Sequence, residues 1–286
     1  MTFRIAAAQY PIGFFRDWRA YEEKVEDWFA RAAALNARML VFPEYFAMEL
    51  ASLFGPDVYG SLERQLDALQ DVLPEFIALF ARLARFHGVY VVAGTFPALH
   101  DGRFRNRSFF FSLDGTYAYQ DKLQMTRFEN ERWKICGGET VETFDTIFGK
   151  IGIAVCYDGE FPSIARKAVE AGAALIAIPS CTDTLAGYHR VRIGARARAL
   201  ENQCYTIHAS TVGEAPWSEA VDVNVGAAGI FTPVDYGYPD DGVLASGELG
   251  ESGWISAEID LAAVERVRRE GQVFNHRDWD AHLRFR

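Results

Sequence analysis

Short apolar runs of strand length alternate along this chain with stretches whose apolar residues recur at helical spacing, and that repeated change of period is its strongest constraint. Residues 3–9 and 38–42 are strand-like, the second closed by Pro43. Between them, over 17–36, Trp18, Val25, Trp28, Phe29 and Ala32 share one side of an expected helix. A long helical pattern at 62–87 is expected to break at Pro74 and to end at Gly88, a residue suited to a left-handed cap. A strand at 89–94 follows, and then two strands, 106–113 and 116–121, around the hairpin signal Asp114-Gly115.

The second half continues the scheme. Strands at 141–148 and 151–155 flank Gly149-Lys150, and a helix at 161–171 carries Pro162 in its first turn. Strand 174–179, helix 187–202 and strand 204–210 come next, then β-rich chain from Val221 and a late helix at 261–269. Alternating strands and helices, interrupted by hairpins, predict a single α/β domain over residues 1–286, with a mixed sheet arranged in layers. The polar tail from about residue 270 carries Phe274, Trp279 and Phe285, aromatics expected to pack on something, a second subunit being the candidate.

A formal net charge of −10 makes nucleic acid and anionic membrane surfaces poor partners. The opening run reads as a strand, not a secretory segment, and the longest apolar stretch, residues 171–178, falls far short of the ~20 residues of a membrane span. The expectation is a soluble, cytoplasmic protein. The four cysteines, at 136, 156, 181 and 204, form no C-x-x-C pair and no zinc-like spacing with His. Each is therefore a small core hydrophobe or a reactive thiol.

Three chemically complementary groups stand where strands end. Cys156 follows the run 151–155 at a turn toward a helix, the setting of a nucleophile elbow, in which the backbone N–H of Tyr157 can serve an oxyanion hole. Glu44 follows Val41-Phe42-Pro43, where partial desolvation would raise its pKa into the range of a general base. Lys122 ends the second hairpin strand and could donate to an oxyanion. Singly, each has a plainer reading: a core cysteine, a solvated loop glutamate, an edge-strand lysine. Their coincidence at strand ends, where open α/β sheets gather functional groups, is what points to chemistry. Among the histidines only His189 stands where it could partner the thiol, so no Cys-His dyad is advertised.

The ordered set Phe42-Pro43-Glu44-Tyr45, Asn106-x-Ser108, Lys122 with Glu129 downstream, and Gly152-x-x-x-Cys156-Tyr157-Asp158-x-x-Phe161-Pro162 resembles the nitrilase superfamily of carbon–nitrogen hydrolases. The resemblance extends over essentially the whole chain. It implies an α-β-β-α sandwich that pairs into a four-layer homodimer or higher oligomer, with no metal or organic cofactor. It implies Glu44 as general base and acid, Lys122 as oxyanion stabiliser, Cys156 as nucleophile and Glu129 as a supporting, substrate-positioning glutamate. The implied reaction is hydrolysis of a small amide through a thioester; carbamoyl or nitrile hydrolysis, acyl transfer, and a non-catalytic scaffold on the same fold are alternatives. Tyr157-Asp158 after the cysteine is closer to the amidase branches, and Asp121-Lys122-Leu123-Gln124 lacks the histidine many relatives carry there. Tyr45, Trp133, Cys181, Thr182 and His189 are candidate pocket residues; Asp158 is expected to cap the following helix and Arg166 to make a buried ion pair.

Overall fold

In a computed structural model, described over residues 1–282, the alternation resolves into fourteen strands and seven α-helices. In chain order these are β1 (Thr2–Pro11), α1 (Trp18–Ala34), β2 (Ala37–Phe42), α2 (Pro56–Tyr59), α3 (Leu62–His87), β3 (Tyr90–Ala93), β4 (Phe96–His100), β5 (Arg103–Phe111), β6 (Tyr117–Asp121), β7 (Thr143–Thr146) and β8 (Gly149–Ile153). There follow α4 (Pro162–Glu170), β9 (Ala173–Ser180), α5 (Leu185–Asn202), β10 (Tyr205–Glu214), β11 (Val223–Asn224), β12 (Gly229–Phe231), β13 (Val243–Ser246), β14 (Gly253–Asp260), α6 (Leu261–Glu270) and α7 (Trp279–His282). Two 3-10 segments, Phe46–Leu53 and Cys156–Glu160, and a π-helical turn, Phe128–Trp133, connect them.

The strand order β4-β5-β3-β2-β1-β10-β9-β8-β7 mixes a parallel centre with antiparallel flanks, as the hairpin signals require. β1 is the seam: Arg4–Ala7 pair with β2, Gln9–Pro11 pair with β10, and β14 runs antiparallel beside it. Side chains alternate between two cores. Ile5, Ala7, Met39, Val41, Tyr90, Val92 and Phe110 face one cluster, while Ala6, Ala8, Leu40, Phe42, Val91, Ala93, Phe109 and Phe111 face the other, which is closed by α1 and α3. Period-2 strands with apolar residues on both faces must lie between layers. The sheet curls so that its halves face each other, with Phe3 stacked on Phe148 at 3.8 Å and Phe110 near Phe144 at 4.9 Å. α4 and α5 cover the second half, which gives the α-β-β-α layering.

One expectation needs correction, and one strand was not foreseen. Pro74 does not break α3, because apolar side chains on both sides of it (Leu66 and Leu69 before, Phe76, Leu79, Phe80 and Leu83 after) are buried by one continuous face. A helix-interior proline costs roughly 3 kcal/mol, whereas each such side chain contributes about 1.5–3 kcal/mol on burial, so packing wins. Strand β4 went unread, since Pro97 interrupts it; it is an edge strand, where a missing N–H donor is tolerated. The described part of the tail also makes contacts within its own chain. Gln203, left-handed at φ 43°, donates from Nε2 to Val273 O (3.0 Å) and accepts from the His276 N–H (3.2 Å). Arg166 pairs with Glu170, donates to His276 O and lies 4.9 Å over the Trp279 ring. Phe285 lies outside the described residues.

Gly94 lets β3 leave the sheet beside the chain turn after β2. At φ 50°, a Cβ there would sit 2.0 Å from Pro43 O and run into the Phe46 ring. Gly94→Ala is therefore expected to lower the unfolding free energy by about 2–4 kcal/mol, from overpacking and left-handed strain together. Chemical denaturation measures this; an unchanged midpoint would mean that the approach is softer than the geometry requires.

Candidate active site

Parallel strands place their carboxyl ends on one edge of the sheet, and four chain segments leave that edge toward a shared cavity. Glu44 stands two residues beyond β2, Lys122 directly beyond β6, Cys156 three residues beyond β8 and Cys181 directly beyond β9. Two of these exits are strained. Tyr45 has φ 54° and Cys156 has φ 49°, left-handed conformations that non-glycine residues adopt at a cost and that cluster at functional sites. The turn at Cys156 is an elbow held from behind by α5, whose Gly194 has no Cβ to meet the Gly159 carbonyl, which would lie 2.8 Å away.

Behind the cavity lies a buried charge network. Glu44, Lys122 and Glu129 are only 1–2% exposed. Lys122 Nζ donates to Glu44 Oε1 at 2.8 Å and to Glu129 Oε2 at 2.6 Å. Glu129 also accepts from the Tyr45 hydroxyl (2.7 Å), the Thr126 backbone and hydroxyl (2.9 and 2.8 Å) and the Asn106 amide (3.0 Å). Glu44 Oε1 accepts from the same Asn106 amide (2.8 Å), whereas Glu44 Oε2 accepts only the Cys181 N–H (3.0 Å) among the described backbone and nitrogen donors. The Cys156 thiol points at the Cys181 carbonyl, 3.8 Å away, and is near enough to Glu44 to interact with its carboxyl group.

These surroundings drive the two glutamates apart. Burial raises the Glu44 pKa, Lys122 pulls it back, and the result stays above the ordinary glutamate value. Burial acts on Glu129 too, but Lys122 and its hydrogen-bond donors outweigh it and hold that carboxyl below the usual range. For Lys122 burial works against the charge, and Glu129 and Glu44 more than offset it, so the ammonium is held firmly. Burial, followed by the nearby Glu44, pushes the Cys156 thiol well up despite Lys122. Two carboxyls split by environment are the arrangement in which one exchanges protons and the other stays charged.

Asp158 caps the 3-10 segment Cys156–Glu160 and not α4, and it does more than cap. Helix α4 begins with Phe161 as its cap, and the buried Asp158 carboxylate accepts from Leu123 N–H (3.0 Å), Gln124 N–H (2.7 Å) and Val155 N–H (3.3 Å). It thus ties the segment after Lys122 to the elbow at Cys156. Burial raises its pKa to about 7, with the three N–H donors and Lys122 opposing.

A cavity of about 470 Å³ is lined by Cys156, Glu44, Lys122, Glu129 and Tyr157, and by Tyr45, Trp133, Cys181 and Thr182. The size suits a small ligand. His189 does not line it. Gly187, Arg190 and Val191 do, at the i, i+3, i+4 spacing of one helix face, and His189 is on the exposed side of α5. Arg132 on the π-helical turn pairs with Glu219 at 2.5 Å, joining two walls of the cavity. Among the described residues no group of three His, Cys, Asp or Glu could hold a metal ion, and no helix is long and apolar enough to cross a membrane. The bridging by Asn106 and the Asp158 clamp escaped sequence reasoning. Their only signal was membership of motif strings, because the partners lie 62 and 23 residues from Asn106 and 34 and 35 residues from Asp158.

Two outcomes follow for stability. Lys122→Met leaves two buried carboxyls with burial and each other raising their pKa values. Stability should fall by about 3–5 kcal/mol at pH 7 and recover as pH drops and the carboxyls protonate; a loss independent of pH in denaturation titrations would contradict this. Asp158→Asn turns an N–H2 toward backbone donors on one side. It should cost about 1–3 kcal/mol by the same assay, and wild-type stability would show that the clamp carries no weight.

The family model for carbon–nitrogen hydrolases matches residues 4–269. Probable hydrolase YhcX of Bacillus subtilis (strain 168) is 34% identical over 275 residues, covering 96% of this chain; the chain spans 53% of YhcX's length. Omega-amidase NIT2-B of Xenopus laevis is 26% identical over 248 residues, 84% of this chain and 82% of that protein. In fold, the chain is similar to an amidase from Nesterenkonia sp. AN1, at a TM-score of 0.69, 22% identity and coverage of 97% and 99% of the two chains; in that structure acrylamide has added to the active-site cysteine.

Proposed function

Since the chain belongs to the carbon–nitrogen hydrolase family, within the nitrilase superfamily, we propose that it hydrolyses a small non-peptide amide through a thioester on Cys156. The reading rests above all on one observation: the Cys156 thiol, the Glu44 carboxyl and the Lys122 ammonium line a single cavity of about 470 Å³.

The chemistry follows from the unequal surroundings of these groups. A thiol whose pKa is pushed up is a poor nucleophile at rest. Its proton must leave as sulfur approaches the carbonyl carbon, and the oxygen placed to take it is Glu44 Oε2, since Oε1 is occupied by two fixed donors. The developing oxyanion is met by Lys122, with the Tyr157 backbone N–H as the second donor. Glu44 then returns the proton to the departing nitrogen, the C–N bond breaks, and ammonia or an amine leaves an acyl-enzyme. Water enters, Glu44 takes its proton, the carboxylic acid is released and the thiol is restored. Glu129 stays ionised throughout and keeps Lys122 charged. The amide reading is favoured by the named omega-amidase and amidase relatives.

Intact-protein mass spectrometry after exposure to amide, carbamoyl and nitrile compounds tests this. An amide should leave an acyl adduct on the peptide holding Cys156, and hydroxylamine should release it as a hydroxamate. Cys156→Ala should give neither adduct nor turnover, and Glu44→Gln should lower kcat by about 10²–10⁴-fold. Turnover retained in Cys156→Ala would reject the mechanism, and adducts from carbamoyl or nitrile compounds alone would move the substrate class.

A further inference from the structure

Asn106 is buried on β5, and its side chain meets no substrate: it does not line the cavity. Its Nδ2 donates to Glu44 Oε1 at 2.8 Å and to Glu129 Oε1 at 3.0 Å, spending both amide hydrogens on the two carboxyls. Its backbone carbonyl accepts the Lys122 N–H at 2.9 Å. One residue therefore touches all three members of the charge network. Among the described residues no donor reaches its Oδ1, although that atom is buried. A buried amide oxygen without a partner costs stability. A residue kept only for packing would not need an amide there, so the other end of the group carries the reason for its presence.

We propose that Asn106 is a positioning residue for proton transfer: with Lys122 it pins Oε1 of Glu44, and so leaves Oε2 as the one oxygen that faces the thiol and takes its proton. This deepens the thioester reading and rests on it. A carboxylate has two equivalent oxygens, and a glutamate held by the lysine alone could pivot about that single contact. A second donor, fixed on a central part of β5, removes the pivot. The same amide separates the two carboxyls, which share a lysine and repel each other. The groups facing Glu44 that bear on its protonation are Lys122, Glu129 and the thiols of Cys156 and Cys181, with the Tyr45 hydroxyl acting through Glu129.

Removal of the amide withdraws a donor from the ionised form of Glu44, so its protonated form gains. The acid limb of the kcat/KM profile should move to higher pH. Asn106→Asp, the same size, should move it further, because it adds a third carboxyl to the pair. In Asn106→Ala, kcat should fall by about 10–100-fold, as for outer-shell partners of catalytic groups elsewhere, with KM within about twofold.

The experiment is the pH dependence of kcat/KM for wild type, Asn106→Ala and Asn106→Asp on the amide that acylates Cys156, with thermal unfolding alongside. If Asn106→Ala does not fold, Asn106→Asp alone reads the limb. An unmoved acid limb in a folded variant overturns the proposal, whether activity is intact or lost together with stability. If wild type forms no Cys156 adduct with any amide, the thioester reading itself fails. An adduct in wild type with unmoved limbs in the variants removes the role of Asn106 only.

Discussion

The Lys122 ammonium, held between two buried carboxyls at 2.6 and 2.8 Å, is the interaction around which the cavity is organised. A lone charge in this setting would be untenable, and a single pair would be close to neutral in its effect on stability. Two carboxyls and one ammonium leave a surplus negative charge, which must be met by hydrogen-bond donors or by a proton. The donors are unevenly shared. Glu129 accepts five hydrogen bonds, and with Lys122 they hold its carboxyl below the usual range, while Oε2 of Glu44 accepts only the Cys181 N–H among the described backbone and nitrogen donors. The inequality of the two glutamates is thus built into the scaffold before any substrate arrives.

That inequality depends on precision at strand ends. β2, β9 and β8 belong to the parallel part of the sheet, and the segments that leave their carboxyl ends deliver Glu44, the Cys181 amide and Cys156 to one place. Left-handed backbone at Tyr45 and Cys156 turns these segments sharply, and the bare Cα atoms of Gly94 and Gly194 make room for the turns. Asp158 then fixes the elbow to the segment beyond Lys122 through three backbone N–H groups. Strain concentrated at a site and held by surrounding contacts is a form of preorganisation.

Much of this was legible from the chain. Alternation at Ile5 to Ala8 and at Met39 to Phe42 reads directly as strands buried on both faces, because a period of two maps each residue to one side. Glu44, Lys122 and Cys156 were marked by their place at strand ends. What escaped are facts of long-range geometry. Asn106 looks like a polar residue in a hairpin strand until the fold brings Glu44 against it from 62 positions away. Asp158 caps its own turn through the Val155 N–H, but its two further contacts, to the Leu123 and Gln124 N–H groups, come from a distant segment. Pro74 was weighed by local propensity, which the packing of α3 overrides. His189 was placed by nearness in sequence, whereas a helix turns about 100° per residue and carries it off the lining face.

Carbon-13 NMR titration of protein labelled at the glutamate carboxyl carbons, with Glu44→Gln and Glu129→Gln for assignment, tests the unequal pair most directly. Glu44 should titrate above the ordinary glutamate range, and Glu129 should remain ionised to pH values below it. Coincident titration of the two, or a Glu129 carboxyl that takes up its proton before Glu44 as pH falls, would contradict the division of roles on which the catalytic account stands.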